Sequence, residues 1–255
     1  MNIIILTQDE NYTTPFLLKK LFSGLKKEDK ISAVFLLDSM PIGIKKKSSS
    51  SIGNLISVFG FKHIFSYYFR DIRLKLIKQR TVRSVLNAFN IPFFTFKESI
   101  NSKNSLKQLR DFSPDLIISI GTYQIFKKDL ISIPRIGILN YHEALLPDYK
   151  GLLPAFWALK NNEEECGISL FLVDEGIDTG KIVVQKRMKI PAAITHLKLV
   201  SKLKKLGAKG ILEALEIFKK GEPFNFVELK EEGSYFTFPN RKDILEFEAS
   251  GKKLY

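Results

Sequence analysis

Short, unbroken apolar runs recur along this chain at Ile3 to Leu6, Ile31 to Leu37, Leu116 to Ile120 and Ile136 to Tyr141. A strand that is apolar at nearly every position has both faces covered, the condition of a strand in a parallel sheet packed between helices. Between these runs, Pro15 to Leu25 carries helical periodicity, Thr81 to Ala88 and Leu106 to Phe112 read as helices, and Pro92 to Phe96 reads as a further strand. Such alternation predicts an α/β, Rossmann-like, doubly wound and mostly parallel sheet, with ligands at the carboxyl edge of the strands. Gly121, Asn140 and His142 all fall at that edge.

Asp9 and Asn11 stand where a cap for the first helix is expected. No glycine-rich fingerprint follows the first strand, which disfavours a nicotinamide dinucleotide. Beyond Pro191, Thr195 to Lys219 reads as a long amphipathic helix, interrupted by Gly207 and Gly210 and closed by Gly221. At 255 residues the chain can bury one full α/β core with a small appendage. The expected division is a catalytic domain over residues 1–220, with a basic and apolar insertion at 40–86, and a short C-terminal extension over 221–255.

The formal charge of +13 is concentrated. Residues 45–83 hold Lys45, Lys46, Lys47, Lys62, Arg70, Arg73, Lys75, Lys78, Arg80 and Arg83 against Asp71 alone. Such a segment is a solvated basic face, or it attracts nucleotide phosphates, tRNA or an anionic membrane surface. Leu55 to Phe65 beside it forms either an amphipathic interfacial helix or a helix packed on its own domain. No apolar run approaches the ~20 residues that span a bilayer, and the first residues lack a basic flank, so a cytoplasmic location is expected. The single Cys166 excludes an intramolecular disulfide, and three His without ligand spacing offer no metal site.

Two segments carry chemistry: Asn140-Tyr141-His142-Glu143-Ala144-Leu145-Leu146-Pro147-Asp148-Tyr149-Lys150-Gly151, and Asp174-Glu175-Gly176-Ile177-Asp178-Thr179-Gly180. They combine an amide that can donate to an oxyanion, an imidazole that can accept a proton and a carboxylate that can orient the imidazole. Asn140 and His142, two residues apart on an extended strand end, share a face. Singly, each residue type is common in turns and cores; the joint pattern is what points to a site.

These segments resemble the folate-dependent formyltransferase family, whose motif runs Asn-x-His, Leu-Leu-Pro-x-Tyr-Arg-Gly and Asp-Thr-Gly. The resemblance implies that 10-formyltetrahydrofolate is the co-substrate and that Asn140, His142 and Asp178 are catalytic. It assigns the folate to Gly121, Tyr123, Gln124, Ile125 and Phe126, to Leu146 and Pro147, and to Val173, Asp174, Glu175 and Gly176. Tyr149, Lys150, Gly151 and Trp157 are the expected acceptor-binding residues. Gly176 and Gly180 let the carboxylate loop turn, and Cys166 to Ser169 leads the strand towards Asp178. Ser234 to Pro239 resembles the Tyr-Phe-x-x-Pro tail of some members of this size.

Three departures stand out. Lys150 replaces an Arg and loses its bidentate fork, Phe171 stands where many members carry a second His, and Glu143-Ala144 places an extra carboxylate beside His142. Members of the family formylate glycinamide ribonucleotide, methionyl-tRNA or nucleotide-linked amino sugars. The basic segment and the length favour an amino sugar carried on a nucleotide diphosphate over tRNA. A homodimer, or a peripheral membrane contact through 45–83, is compatible with the same features. The reading from another class is a noncatalytic regulator that binds folate or a nucleotide sugar.

Overall fold

Ile3, Ile4, Ile5 and Leu6 are fully inaccessible to solvent, as are Leu116, Ile117 and Ile118, because helices cover both faces of the sheet these runs build. The computed structural model describes residues 1–10, 12–37, 50–66, 69, 81–96, 98–221, 224, 226 and 232–255. In chain order the elements are β1 (Asn2–Gln8), α1 (Thr14–Gly24), β2 (Lys30–Leu37), α2 (Ser50–Phe59), α3 (Val82–Ala88), β3 (Phe93–Thr95), α4 (Lys103–Asp111), β4 (Leu116–Ile120), α5 (Lys128–Ile131) and β5 (Gly137–His142). There follow β6 (Lys150–Gly151), α6 (Pro154–Lys160), β7 (Glu165–Leu172), β8 (Lys181–Lys189), α7 (His196–Lys219), β9 (Tyr235–Phe236) and α8 (Arg241–Ala249).

Seven strands form one sheet in the order β3-β2-β1-β4-β5-β7-β8. The pairs from β3 to β5 are parallel, and β5–β7 and β7–β8 are antiparallel. The mostly parallel, Rossmann-like sheet expected from the apolar runs is present. One core on the α7 side contains Leu139, Tyr141, Ile168, Leu170, Leu203 and Ile211. The other contains Ile4, Leu6, Phe35, Ile117, Phe126 and Ile138.

At the start of the first helix the backbone is held by Glu10 and not by Asp9. Glu10 accepts from the backbone N–H of Tyr12 and Thr13 at 2.6 and 3.0 Å, just before the helix, and also from that of Thr14, its first residue. Asp9 pairs instead with Arg83 at 2.7 Å, and Asn11 lies outside the described residues.

α7 corrects a second expectation, since it runs unbroken through both glycines. A Cβ on Gly207 would lie 2.2 Å from the Tyr141 ring, and one on Gly210 would lie 3.0 Å from Leu170. The glycines are therefore points of close approach to the sheet, where tertiary packing overrides helix propensity.

Described residues beyond 220 pack back on the same core. Ile244 and Phe247 of α8 and Leu254 are buried in it, the backbone N–H of His196 and Leu197 donates to Lys253 and Leu254, and β9 pairs with β6. Among the described residues no helix is long and apolar enough to cross a membrane.

Gly207→Ala should destabilise the protein by about 1–3 kcal/mol through overpacking against Tyr141, although the same change in an exposed helix gains ~1 kcal/mol. Chemical denaturation checks it; a stabilised variant would show that the α7–sheet contact is loose.

Candidate active site

β5 ends at the carboxyl edge between two partners. Ile120 of β4 pairs with Tyr141 in parallel, and Ser169 of β7 pairs with His142 antiparallel. Strand alternation turns Tyr141 into the α7-side core and places half-buried Asn140 and buried His142 on the opposite face.

His142 is held from two sides. Its Nε2 lies 2.8 Å from the carbonyl oxygen of Tyr149, and its Nδ1 lies 3.7 Å from Asp178 Oδ2. A carbonyl can only accept, so Nε2 carries the hydrogen and Nδ1 is the position open to a proton. Asp178 is fixed in turn: its Oδ2 accepts from the backbone N–H of Gly151 at 2.8 Å. It adopts a left-handed conformation with φ of 53°, which Asp tolerates better than most residues. The loop before it is tied by Asp174, whose Oδ1 accepts from Gly176 N–H at 3.0 Å and from the Thr179 hydroxyl at 2.7 Å. A Cβ on Gly180 would sit 1.8 Å from the Leu172 carbonyl oxygen, so only glycine lets the loop rejoin β8 there.

The loop from Glu143 to Tyr149 is anchored by residues to which the sequence alone assigns no role. The Ser169 hydroxyl donates to Ala144 O at 2.7 Å and accepts from Leu146 N–H at 3.0 Å. Gln185 donates to Leu146 O at 2.9 Å and to the Ser169 hydroxyl at 3.0 Å. Their signal in the sequence was slight: Ser169 is the one polar residue from Cys166 to Leu172 of β7, and Gln185 is the one uncharged polar residue of β8. Leu146 itself is buried with Phe171 and Ile182, and Pro147 follows through a cis peptide bond. Phe171, the residue replacing the second His, pairs with Asn140.

The expected folate residues divide by placement. Gly121, Ile125, Glu175 and Gly176 are exposed, and Tyr123 is half-buried with its phenol pushed up to about 12 by burial and then by Glu143 and Glu10. Gln124 faces a neighbouring loop, accepting from Ile100 N–H at 3.0 Å. Phe126 lies in the second core, and Val173 packs at its edge while donating to Ile138 O at 2.9 Å.

The expected acceptor residues hold the C-terminal segment. Lys150 donates from Nζ to Glu232 O at 2.5 Å, and Trp157 donates to Thr237 O at 3.1 Å while stacking on Phe236 at 4.8 Å. Tyr149 stacks on Phe236 at 5.1 Å, and its hydroxyl donates to Glu163 at 2.5 Å. Burial and that carboxylate push its phenol up to about 12. Gly151, through β6, pairs with β9. A cleft of about 580 Å³ below the loop is walled by Glu143, Tyr149, Glu163, Cys166, Gln185 and Arg187; Asn140, His142 and Asp178 are not among its walls.

A buried strand end bearing an amide donor, an imidazole with one open nitrogen and a carboxylate beside it can stabilise an oxyanion and move a proton. The formyl transferase profile matches residues 4–215, so the chain belongs to the formyl transferase family. Formyl transferases of this family take their one-carbon unit from formyltetrahydrofolate. The chain is similar to the methionyl-tRNA formyltransferase of Clostridioides difficile, at 28% identity over 72% of this chain and 59% of that enzyme. The similarity to the methionyl-tRNA formyltransferase of Kosmotoga olearia is 36% over 55% of this chain and 45% of the relative, so the chain spans about half the length of the curated relatives it matches. Among solved structures, the N-formyltransferase of Helicobacter canadensis, in complex with folinic acid and dTDP-3-aminofucose, shares the fold at a TM-score of 0.57 and 18% identity, covering 95% of this chain and 71% of that one.

His142→Ala and Asn140→Ala should each lower formyl transfer by ~100-fold or more, the usual cost of losing a catalytic base or oxyanion donor. Asp178→Asn, nearly isosteric and still able to accept from Gly151, should lower turnover while leaving the unfolding midpoint close to that of the parent. Near-normal turnover of His142→Ala, or unfolding of Asp178→Asn, defeats the assignment.

Proposed function

We propose that this protein is an N-formyltransferase that moves the formyl group of 10-formyltetrahydrofolate to a primary amine. The observation that carries the reading is the clamp on His142, with Nε2 on the Tyr149 carbonyl and Nδ1 facing an Asp178 that is itself fixed. The donor would supply a formyl carbon bonded to a nitrogen leaving group. Its fit is supported by two exposed apolar side chains, Ile125 on the loop after β4 and Ile177 on the loop between β7 and β8, which offer a surface for a flat heterocycle. Gly121 and Tyr123 would complete it. Asn140 would donate from its side-chain amide to the oxygen that gains negative charge. As the amine bonds to the formyl carbon, His142 would take the amine's proton on Nδ1, with Asp178 balancing the charge of the protonated ring, and would return a proton to the folate nitrogen as its bond to the formyl carbon breaks. A binding-only regulator has no need of this arrangement.

Two acceptor readings have support. Kinship in sequence favours methionyl-tRNA, and this displaces the preference for an amino sugar drawn from charge and length. The amino sugar on a nucleotide diphosphate is supported by fold likeness to an enzyme crystallised with one. Incubation with 10-formyltetrahydrofolate and a panel of methionyl-tRNA, glycinamide ribonucleotide and dTDP-linked amino sugars decides between them. Formylation of methionyl-tRNA at a rate at least tenfold above the others is the expected result, and no formylation of any amine would overturn the reading.

A peripheral contact with an anionic membrane is supported by one patch. Phe61, Phe65 and Phe69, four residues apart, are 69, 63 and 63% exposed. Next to this patch His63 Nε2 lies 2.7 Å from Glu248 of the C-terminal helix, and Phe59, the last residue of α2, is edge-on to Phe238 before that helix. An apolar stripe facing away from its own domain and bordered in sequence by cations fits a lipid interface. Of those cations Lys45, Lys46, Lys47, Arg70, Arg73, Lys75, Lys78 and Arg80 lie outside the described residues. Sedimentation with phosphatidylglycerol-containing vesicles should capture the parent and lose the Phe61→Ser, Phe65→Ser, Phe69→Ser variant. A parent that stays in the supernatant rejects the contact.

A further inference from the structure

Lys204 is a cation in the apolar stripe of α7, between Leu203 and Gly207, and it is almost wholly buried. Its Nζ lies 3.1 Å from Glu143 Oε1 and 4.8 Å from the centre of the Tyr141 ring. The Tyr141 hydroxyl donates to the same carboxylate at 3.3 Å. A Cβ on Gly121 would lie 3.9 Å from the ammonium, so Lys204 stands behind both the turn that ends β4 and the loop that follows β5.

A buried ion pair is a poor means of gaining stability, because desolvation of two charges offsets most of their attraction. The surroundings show what this pair does. Glu143 also acts on Tyr123 and Tyr141, on Cys166 of β7 and on His196 of α7. Burial pushes the Tyr123 phenol up to about 12, the Tyr141 phenol well above its ordinary value and the Cys166 thiol up to about 11. Burial pushes His196 down to about 4, and all four are therefore neutral near pH 7. Lys204 is the cation in salt-bridge contact with Glu143 among the described residues. The groups that face His142 are Asp178, the Tyr149 carbonyl and Ser169, with Glu143 next to it in the chain.

We propose that Lys204 is a positioning residue: by fixing and neutralising Glu143 it holds the start of the 143–149 loop and leaves the proton affinity of His142 to Asp178. The inference rests on the reading of His142 as the proton acceptor. Without Lys204, the Glu143 carboxylate, one residue from the imidazole, is uncompensated in a low-dielectric setting and favours the protonated ring. Glu143→Gln acts in the opposite sense, since it leaves the ammonium uncompensated.

The test follows the His142 imidazole by NMR as a function of pH in the full chain without substrate, its signal assigned by loss in His142→Asn. Lys204→Met should raise the titration midpoint by about half a unit to one unit, the scale on which a nearby uncompensated charge acts. Glu143→Gln should lower it, and Glu143→Gln with Lys204→Met should return it close to the parent. The acid limb of the kcat/KM profile should move with the midpoint. Equal midpoints in folded Glu143→Gln and in the double variant would overturn the proposal, even if Lys204→Met alone fails to fold. Midpoints that move as stated in a protein that formylates no amine would keep this inference and reject the proposed reaction.

Discussion

The end of β5 is gripped on both sides, by parallel pairing of Tyr141 with Ile120 and by antiparallel pairing of His142 with Ser169. Each group of the site takes its place from that grip. Strand alternation sends Tyr141 to α7 and His142 to the opposite face, and the Ser169 hydroxyl, opposite His142, ties down the loop that brings the Tyr149 carbonyl back to the imidazole. The antiparallel turn of β7 carries the chain on to the loop that delivers Asp178. A continued parallel order would require a crossover and would take that loop elsewhere.

The electrostatics of the site differ from those of the surface. The chain carries +13, yet His142 lies beside Asp178 and Glu143, and Glu163, Glu164 and Glu165 border the cleft beneath its loop. The C-terminal segment closes this region from outside: Phe236 stacks on Tyr149 and Trp157, and Lys150 reaches the Glu232 carbonyl. Those residues, the expected acceptor contacts, form the seat of β9.

Much of the fold was legible because apolar runs report burial directly. β4 was read at its exact extent, Leu116 to Ile120, and β2 and β5 to within one residue. Less legible were β8, whose outward residues are charged, and the unbroken α7, whose glycines look like breaks until the sheet beneath them is known. Asp9 was misread as a cap on α1 because Glu10, from outside the helix, reaches forward to three N–H groups while Asp9 pairs with Arg83.

Of the site, the sequence alone determined that Asn140 and His142 share a face and that an amide, an imidazole and a carboxylate belong to one motif, because strand period and residue chemistry are local. The tertiary structure alone decided which imidazole nitrogen is open, because that depends on where the Tyr149 carbonyl and Asp178 fall after the chain has turned twice. It likewise decided that Glu143 meets Lys204, 61 residues further along the chain, since a buried charge finds its partner through helix packing and not through spacing.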